Sequence, residues 1–271
     1  MRLTLLHDRR PALLRVEGPA GAPVALFLHP FPLSGEAWDE MLQACAAAGL
    51  RGAAVDAPGF GGTPPLCRPL SMDQLAGLGA AALDALGVAS AGIVGCSMGG
   101  YAAMAFARLF PERMRAAVLI ATKASADTAE AKEKREQQAK AALERGPSAV
   151  TAEMVPKLLS RSPSPQARAR VEELASQATA QGIADALRGM AARPDSTPDL
   201  PRWKAPALVI EGAEDQLMPA AELDKLARGI PGATKQTVAG AGHLAFLEAP
   251  GEVAALVTGH LRLHLPGGGD A

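Results

Sequence analysis

A Gly-x-Ser-x-Gly pattern at residues 95–99, with Ser97 at its centre, separates two segments of different character. Residues 91–94 form a short apolar run typical of a buried strand, and residues 101–107 are apolar and rich in alanine, as in a buried helix. A sharp turn from a strand into a helix lifts its central side chain clear of the sheet, and flanking glycines leave room for both elements. Because the chain has 28 glycines, the pattern alone is weak evidence, and its setting carries the prediction that Ser97 is a nucleophile.

The composition is that of an ordinary globular protein and limits the partners of the chain. The 271 residues are 48% hydrophobic and 20% charged, with a formal net charge of −1, which gives no attraction for nucleic acid or an anionic membrane. No apolar run approaches the ~18 residues of a membrane span, and the polar residues 7–10 interrupt the N-terminal apolar segment before it reaches signal-peptide length. We therefore predict a cytoplasmic protein with no nucleic-acid or membrane partner.

The cysteines are odd in number and widely spaced, which favours neither a disulfide framework nor a zinc site. Cys96, inside the Gly-x-Ser-x-Gly pattern, is predicted to be a small buried filler. The other two are Cys45 and Cys67.

Apolar runs rich in β-forming residues alternate with helical patterns along most of the chain, as in a mostly parallel sheet with helices on both faces. The first two runs, separated by residues 8–11, are predicted to form an antiparallel hairpin, and Ser71 is predicted to cap a helix. Pro111 should end the helix after Ser97, and residues 266–269 should form a frayed tail. The predicted strands span residues 3–6, 12–16, 24–29, 52–56, 91–96, 116–121, 207–212 and 235–239, and the predicted helices span 36–48, 72–86, 97–110, 220–229 and 252–265.

The alternation breaks between residues 122 and 201, where no strand is predicted. The segment is rich in alanine and charged residues at helical spacing, and residues 129–145 carry side-chain pairs four residues apart, as in a surface helix. Further helices are predicted at 149–159, 165–181 and 182–192. The segment is too long for a linker and too interrupted for a coiled coil. We therefore predict an α/β core of residues 1–121 and 201–271 with an inserted all-helical cap of residues 122–200.

A serine hydroxyl needs an adjacent base, and the base needs a carboxylate that orients it. Asp215 follows the apolar run 207–210, just past the carboxyl end of a predicted strand, where sheets of this kind place their sites. We predict Asp215 as the acid, with Glu214 and Glu211 as rivals in the same acidic loop.

Five histidines are candidates for the base. His243 ends the glycine-flexible loop 239–243, between the last strand and the last helix, from which it could reach back to Ser97, so we predict it as the base. His260 and His264 are four residues apart without a carboxylate motif, which indicates an exposed helix face rather than a metal pair. His7 lies in the first hairpin, and His29 is predicted to brace the loop after its strand.

The reaction also needs two backbone N–H groups for the developing oxyanion. Met98, which follows the nucleophile at a helix N-terminus, is predicted to supply one. The other should come from the loop after residues 24–29. Pro30 and Pro32 have no N–H, so Phe31 is the predicted donor.

Together these segments resemble the α/β-hydrolase superfamily along nearly the whole chain, on residues 29–32, 56–61, 95–100, 212–215 and 242–243. Within it, the chain is similar to small capped carboxylesterases grouped with 3-oxoadipate enol-lactonases and pimeloyl-carrier-protein methyl ester esterases. The resemblance implies an eight-stranded, mostly parallel sheet with an inserted helical cap, a Ser97–His243–Asp215 triad and a Phe31/Met98 oxyanion hole. Pro30 departs from the family, where glycine commonly follows the histidine. Serine at the turn, rather than aspartate, argues against the dehalogenase and epoxide-hydrolase branches.

The resemblance implies a hydrolase of small carboxylic esters that needs no metal or other cofactor and works through an acyl-serine intermediate. Lactone hydrolysis, hydrolysis of C–C bonds in diketones and perhydrolysis use the same triad and remain alternatives. A signalling receptor that retains the triad is a further alternative, which turnover of p-nitrophenyl esters would separate from an enzyme. Aromatic residues make up only 3% of the chain, which favours a small pocket over a lipid channel. The predicted partner is a small-molecule ester, and no oligomeric state is predicted.

Overall fold

Eight strands form one sheet in the computed structural model, which describes residues 1–7 and 10–265. The strand order is β1-β2-β4-β3-β5-β6-β7-β8; β1 and β2 pair antiparallel, as do β2 and β4, and all later pairs are parallel. The predicted eight-stranded, mostly parallel sheet is confirmed. The strands are β1 (Arg2–His7), β2 (Arg10–Glu17), β3 (Val24–Leu28), β4 (Arg51–Val55), β5 (Ala91–Cys96), β6 (Met114–Ile120), β7 (Ala207–Gly212) and β8 (Thr234–Val238).

The central strands are buried on both faces, which is why their sequences are continuous apolar runs rather than alternating patterns. Every residue of β3, β5 and β7 is buried. The β1–β2 pair is antiparallel, as predicted, and its register runs from Arg2 opposite Arg15 to His7 opposite Arg10. Residues 8 and 9 of the predicted turn, and the tail predicted at 266–269, lie outside the described residues.

Helices cover both faces of the sheet. Ser71 caps α2 with a capping box, in which its side chain accepts from the Gln74 N–H and the Gln74 side chain accepts from the Ser71 N–H, so the predicted cap is confirmed. Within the described ranges, no helix is both long and apolar enough to cross a membrane. The helices outside the β6–β7 connection are α1 (Asp39–Ala47), α2 (Met72–Ala85), α3 (Met98–Leu109), α8 (Ala220–Gly229), α9 (Ala245–Glu248) and α10 (Pro250–His264).

The connection between β6 and β7, residues 121–206, is helical and is called the helical insertion below. The helix predicted at 149–159 ends earlier, at Met154, and continues as a 3-10 turn over Val155–Leu158. The predicted boundary at 181/182 is wrong: Thr179 caps the next helix through its hydroxyl, so that helix begins at Ala180. The helices are α4 (Ala129–Arg145), α5 (Ser148–Met154), α6 (Pro165–Ser176) and α7 (Ala180–Ala192).

The backbone of the helical insertion packs directly against the backbone of the loop between β4 and α2. A Cβ on Gly182, in α7, would overlap the backbone of Gly59, and a Cβ on Gly189 would overlap the Leu70 carbonyl. The Leu70 N–H also donates to the Asp185 carbonyl at 2.9 Å. The insertion therefore lies against the edge of the sheet where the parallel strands end. The division into a core and a cap at residues 121/122 and 200/201 stays a prediction.

Candidate active site

Ser97 occupies a strained turn between β5 and α3. Its backbone has φ +52° and ψ −112°, a conformation that L-residues rarely adopt. Four hydrogen bonds hold the turn. The Ser97 N–H donates to the Ile120 carbonyl at 2.9 Å, and the Ser97 carbonyl accepts from the N–H groups of Gly100 and Tyr101 at 3.0 and 3.2 Å and from the Thr122 hydroxyl at 2.9 Å. The Thr122 contact had no signal in the sequence, because Thr122 follows a different strand.

The glycines of the motif are required by close backbone packing. A Cβ on Gly95 would overlap the carbonyl of Gly99, and a Cβ on Gly99 would overlap the carbonyl of Leu28 at the end of β3. A Cβ on Gly100 would overlap the Thr122 side chain. The start of α3 can therefore lie against β3 and β6 only because these positions carry no side chain.

His243 and Asp215 form a buried hydrogen bond. The distance between His243 Nδ1 and Asp215 Oδ2 is 2.8 Å, and both side chains are 2% exposed. Asp215 Oδ1 accepts from the N–H groups of Leu217 and Met218 at 2.8 and 2.9 Å, which fixes the carboxylate. An ionised carboxylate only accepts, so Nδ1 carries the hydrogen in this bond, and Nε2 of the neutral ring is left as an acceptor.

The two rival carboxylates have other partners. Glu214 accepts a hydrogen bond from the Arg161 N–H at 3.1 Å. Glu211 forms an ion pair with Lys235 at 2.5 Å. Among these three acidic residues at the end of β7, the structure therefore joins only Asp215 to His243.

Cys96 lies against the histidine loop and next to the serine in sequence. Its Sγ is 3.8 Å from the His243 carbonyl oxygen, and the residue is fully buried, as predicted for a filler. Burial, and in second place the Asp215 carboxylate, raises the pKa of the Cys96 thiol well above its usual value. The thiol therefore stays protonated and is a poor nucleophile. The contact of Cys96 with the His243 carbonyl and the bond of His243 to Asp215 bring together the ends of β5 and β7 and the loop after β8.

The two predicted oxyanion donors lie on neighbouring segments. Met98 is the first residue of α3, where backbone N–H groups have no partner within the helix and the helix dipole favours negative charge. Phe31 is buried in the loop after β3, edge-to-face with Phe60 at 6.0 Å between ring centres. The bond between Phe31 and Pro32 is cis.

His29 braces the loop after β3, as predicted. The Ala57 N–H donates to His29 Nε2 at 2.9 Å, so Nδ1 carries the hydrogen and donates to the Pro30 carbonyl at 3.0 Å. Burial lowers the pKa of His29 below its usual value, which keeps the ring neutral in this arrangement.

Asp56 adds a second link between the loops after β3 and β4. This fully buried carboxylate accepts from the Gly35 N–H at 2.7 Å and the Gly62 N–H at 2.9 Å. A Cβ on Gly61, which has φ +53°, would overlap the Asp56 carboxylate. Residues 56–61, one of the segments that resemble the family, therefore help to hold the loops after β3 and β4 together beside the site.

The remaining histidines lie away from the pair of His243 and Asp215 in the fold. His7 is the last residue of β1. The prediction that His260 and His264 share an exposed face is wrong: both residues are partly buried, and His260 Nε2 lies 3.3 Å from the Pro206 carbonyl. Burial lowers the pKa of His260.

Sequence reasoning missed Glu248, in α9. Its carboxylate accepts from the N–H of Gly242, next to His243, and from the N–H and hydroxyl of Ser160 in the helical insertion. An acidic residue five positions after the predicted base was the only available signal.

Comparison with known proteins assigns the chain to a family. A model of the alpha/beta hydrolase fold matches residues 23–250. Over 244 residues, covering 84% of this chain and 83% of the relative, the chain is 30% identical to a 2-hydroxy-6-oxononadienedioate/2-hydroxy-6-oxononatrienedioate hydrolase of Paraburkholderia phymatum. It is 28% identical over 258 residues, 89% of this chain, to the dihydrolipoyllysine-residue acetyltransferase component of the acetoin cleaving system of Cupriavidus necator, and it spans 64% of that relative's length.

Solved structures agree with this assignment. A thermophilic esterase from Thermogutta terrifontis superposes with a TM-score of 0.91 and 31% identity, covering 98% of this chain and all of the esterase. The enol-lactonase of Burkholderia xenovorans LB400 has the same fold, with a TM-score of 0.88 and 24% identity over 96% of this chain and all of the lactonase. The chain is a member of the alpha/beta hydrolase family.

Proposed function

We propose that this chain is a serine hydrolase that cleaves small carboxylic esters through an acyl-serine intermediate. The observation that carries the proposal is the 2.8 Å contact between His243 Nδ1 and Asp215 Oδ2. The His243 backbone also contacts Cys96, the residue before the serine held at a strained turn. The 31% identity to the esterase of Thermogutta terrifontis supports ester hydrolysis.

In this mechanism the Ser97 hydroxyl attacks the ester carbonyl carbon. His243 Nε2 takes the hydroxyl proton as the oxygen–carbon bond forms, and Asp215 stabilises the imidazolium that results. The Asp215 carboxylate is already fixed by two backbone N–H groups, so it needs no reorganisation when the charge develops.

The tetrahedral oxyanion is stabilised by the N–H groups of Phe31 and Met98. Because Met98 is the first residue of α3, the positive end of the helix dipole adds to this stabilisation. The intermediate collapses when His243 returns the proton to the leaving alcohol, which leaves the acyl group on Ser97. Water, deprotonated by His243, then attacks the acyl-serine. As the acyl–oxygen bond breaks and the carboxylic acid leaves, His243 returns that proton to Ser97 Oγ.

Residues 122–200 act in this proposal as a cap that shapes the substrate pocket. Its contacts with loops around the site support this role: Gly182 packs on Gly59, and the Leu159 carbonyl accepts from the Gln216 side chain at 2.9 Å. The low aromatic content supports a small acyl or alcohol group rather than a long lipid chain. Pocket-facing cap residues should therefore control which ester is preferred.

Hydrolysis of a C–C bond is the second candidate reaction, because the relative from Paraburkholderia phymatum is named for a hydrolase of a hydroxy-oxo dienedioate. The same serine and histidine would serve it. Lactone hydrolysis and perhydrolysis remain further alternatives with this triad. A receptor would instead hydrolyse its ligand slowly and keep it bound.

The test is a substrate panel measured on the wild-type chain and on Ser97→Ala. The panel holds p-nitrophenyl esters of increasing chain length, simple lactones and a vinylogous diketone that releases a carboxylic acid by C–C cleavage. We expect rapid multiple turnover of the short esters that depends on Ser97. A higher kcat/KM for the diketone would assign the second candidate, and no more than one turnover of any compound would assign a receptor.

A further inference from the structure

Glu248 binds two parts of the chain that are far apart in sequence. Its Oε2 accepts from the Gly242 N–H at 2.7 Å, beside the histidine of the site. The Ser160 hydroxyl donates to Oε1 at 2.6 Å, and the Ser160 N–H lies 3.0 and 3.1 Å from the two carboxylate oxygens. A single carboxylate thus links the loop of His243 to the helical insertion.

Residues 158–161 of the insertion, called the strap below, contact both loops that carry the proposed acid and base. On the histidine side, the Leu244 N–H donates to the Leu158 carbonyl at 3.0 Å, and a Cβ on Gly242 would overlap the backbone between residues 159 and 160. On the aspartate side, two hydrogen bonds join the strap to the loop after β7, from the Gln216 side chain to the Leu159 carbonyl and from the Arg161 N–H to Glu214.

We propose that Glu248 is a positioning residue that aligns His243 with Asp215 and Ser97 only while the strap is seated. The proposal rests on the proposed function, because it assigns His243 the role of base. The Gly242 N–H is one peptide from His243, so its bond to Glu248 fixes the backbone that carries the imidazole. The Ser160 N–H and hydroxyl hold the other side of the same carboxylate, so without them the acceptor of the Gly242 N–H would no longer be fixed. The packing of the strap against the histidine loop therefore controls the position of the His243 imidazole.

The chemistry of the contact makes one substitution informative. A carboxylate presents two acceptor oxygens, and both are used here. Glutamine keeps the length and shape but has one acceptor, so its NH2 group would face a backbone N–H, that of Gly242 or that of Ser160. Glu248→Gln therefore disrupts the anchor with little change in volume. Glu252→Gln is the matched control, because Glu252 is exposed two residues into α10.

The first measurement is steady-state kinetics on a short p-nitrophenyl ester, with active sites counted by a fluorophosphonate. We expect Glu248→Gln to lower kcat about 10- to 100-fold, the cost of misplacing a catalytic group by about 1 Å, with KM changed less than about threefold. Ser160→Ala removes one donor and should lower kcat about two- to fivefold. Glu252→Gln should match the wild type. Unchanged kcat per active site in Glu248→Gln would overturn the proposal, as would a loss explained by unfolded protein alone.

The second measurement does not depend on activity. In ¹⁵N-histidine-labelled protein, the proton between His243 Nδ1 and Asp215 gives a resonance far downfield of the amides. We expect this resonance in the wild type and Glu252→Gln, and its shift or exchange broadening in Glu248→Gln. An unchanged resonance in Glu248→Gln overturns the proposal even if the chain hydrolyses no ester, which separates its failure from that of the proposed function. If Glu248→Gln does not fold, Ser160→Ala decides by the same two readouts.

Discussion

His243 Nδ1 lies 2.8 Å from Asp215 Oδ2, although the two residues belong to loops after different strands. The second oxygen of Asp215 is occupied by the N–H groups of Leu217 and Met218, so the carboxylate cannot rotate away without losing three hydrogen bonds. The orientation of the imidazole is therefore set by the loop after β7. Predictions about the acid follow from this relationship.

Asp215→Asn should lower kcat by up to about 10⁴-fold, because the amide keeps the shape but loses the charge that orients and stabilises the imidazolium. Glu214→Gln is the matched control, since its side chain accepts from the Arg161 N–H and can still do so as an amide. Both variants are assayed on one short ester. A large loss of kcat in Glu214→Gln, with kcat retained in Asp215→Asn, would mean that the wrong carboxylate has been assigned.

Ser97→Ala should lower kcat by on the order of 10³-fold or more, because the attacking oxygen is absent while the oxyanion donors remain. The fold should be unchanged, since the hydrogen bonds that hold this turn use the backbone of Ser97. Circular dichroism and the melting temperature check the fold. Activity within tenfold of the wild type, in protein free of contaminating esterase, would contradict the assignment.

Gly99→Ala should lower the free energy of unfolding by about 3 kcal/mol, because its Cβ would overlap the Leu28 carbonyl and force the backbone apart. Gly259→Ala is the opposite case. It lies within α10, with open space at the Cβ position, so alanine should raise the free energy of unfolding by about 0.5–1 kcal/mol. Urea unfolding of both variants measures the contrast, and equal effects would contradict the packing described for the motif.

A buried ion cluster within the helical insertion should control stability at low pH. Asp127 pairs with Arg193 at 2.9 Å and with Arg135 at 2.6 Å, and the Arg193 guanidinium lies 4.0 Å from the centre of the Tyr101 ring. Burial raises the pKa of Asp127, but the hydrogen bonds and charges of the two arginines outweigh it and bring the pKa to about 2.

Because this pKa is lower in the folded than in the unfolded chain, Asp127 stabilises the fold above pH ~4 and loses that effect as the pH falls towards 2. Asp127→Asn should therefore lower the free energy of unfolding by about 2 kcal/mol at pH 7, and its difference from the wild type should shrink between about pH 5 and pH 2. Urea titrations across this range measure it. Glu112→Gln, at an exposed ion pair with Lys204, is the control and should change little. A pH-independent difference for Asp127→Asn would contradict the charge-based account.

The sequence was sufficient to predict the sheet because its strands are buried on both faces and are separated by helices of ordinary length. All eight strands are found within two residues of their predicted limits. The pairing of His243 with Asp215 followed from chain position, since the loops at the carboxyl ends of parallel strands share one edge.

Other features depend on contacts that no local pattern encodes. Glu248 and Ser160 are 88 residues apart, and Thr122 contacts the Ser97 carbonyl from the segment after β6. The break before α7 depends on Thr179, whose hydroxyl caps the helix and also donates to the Gly59 carbonyl. His260 was assigned to an exposed face because its helix position did not reveal the Pro206 carbonyl beside it.

The most direct test of the central claim is to trap the acyl group on the enzyme. The wild-type chain is mixed with a short p-nitrophenyl ester, quenched in acid within milliseconds, and digested for peptide mass analysis. We predict a burst of p-nitrophenol that approaches one equivalent per chain, or a smaller one if deacylation is fast, with the acyl mass on Ser97. Steady turnover that leaves Ser97 unmodified, and that persists in Ser97→Ala, would contradict the acyl-serine mechanism.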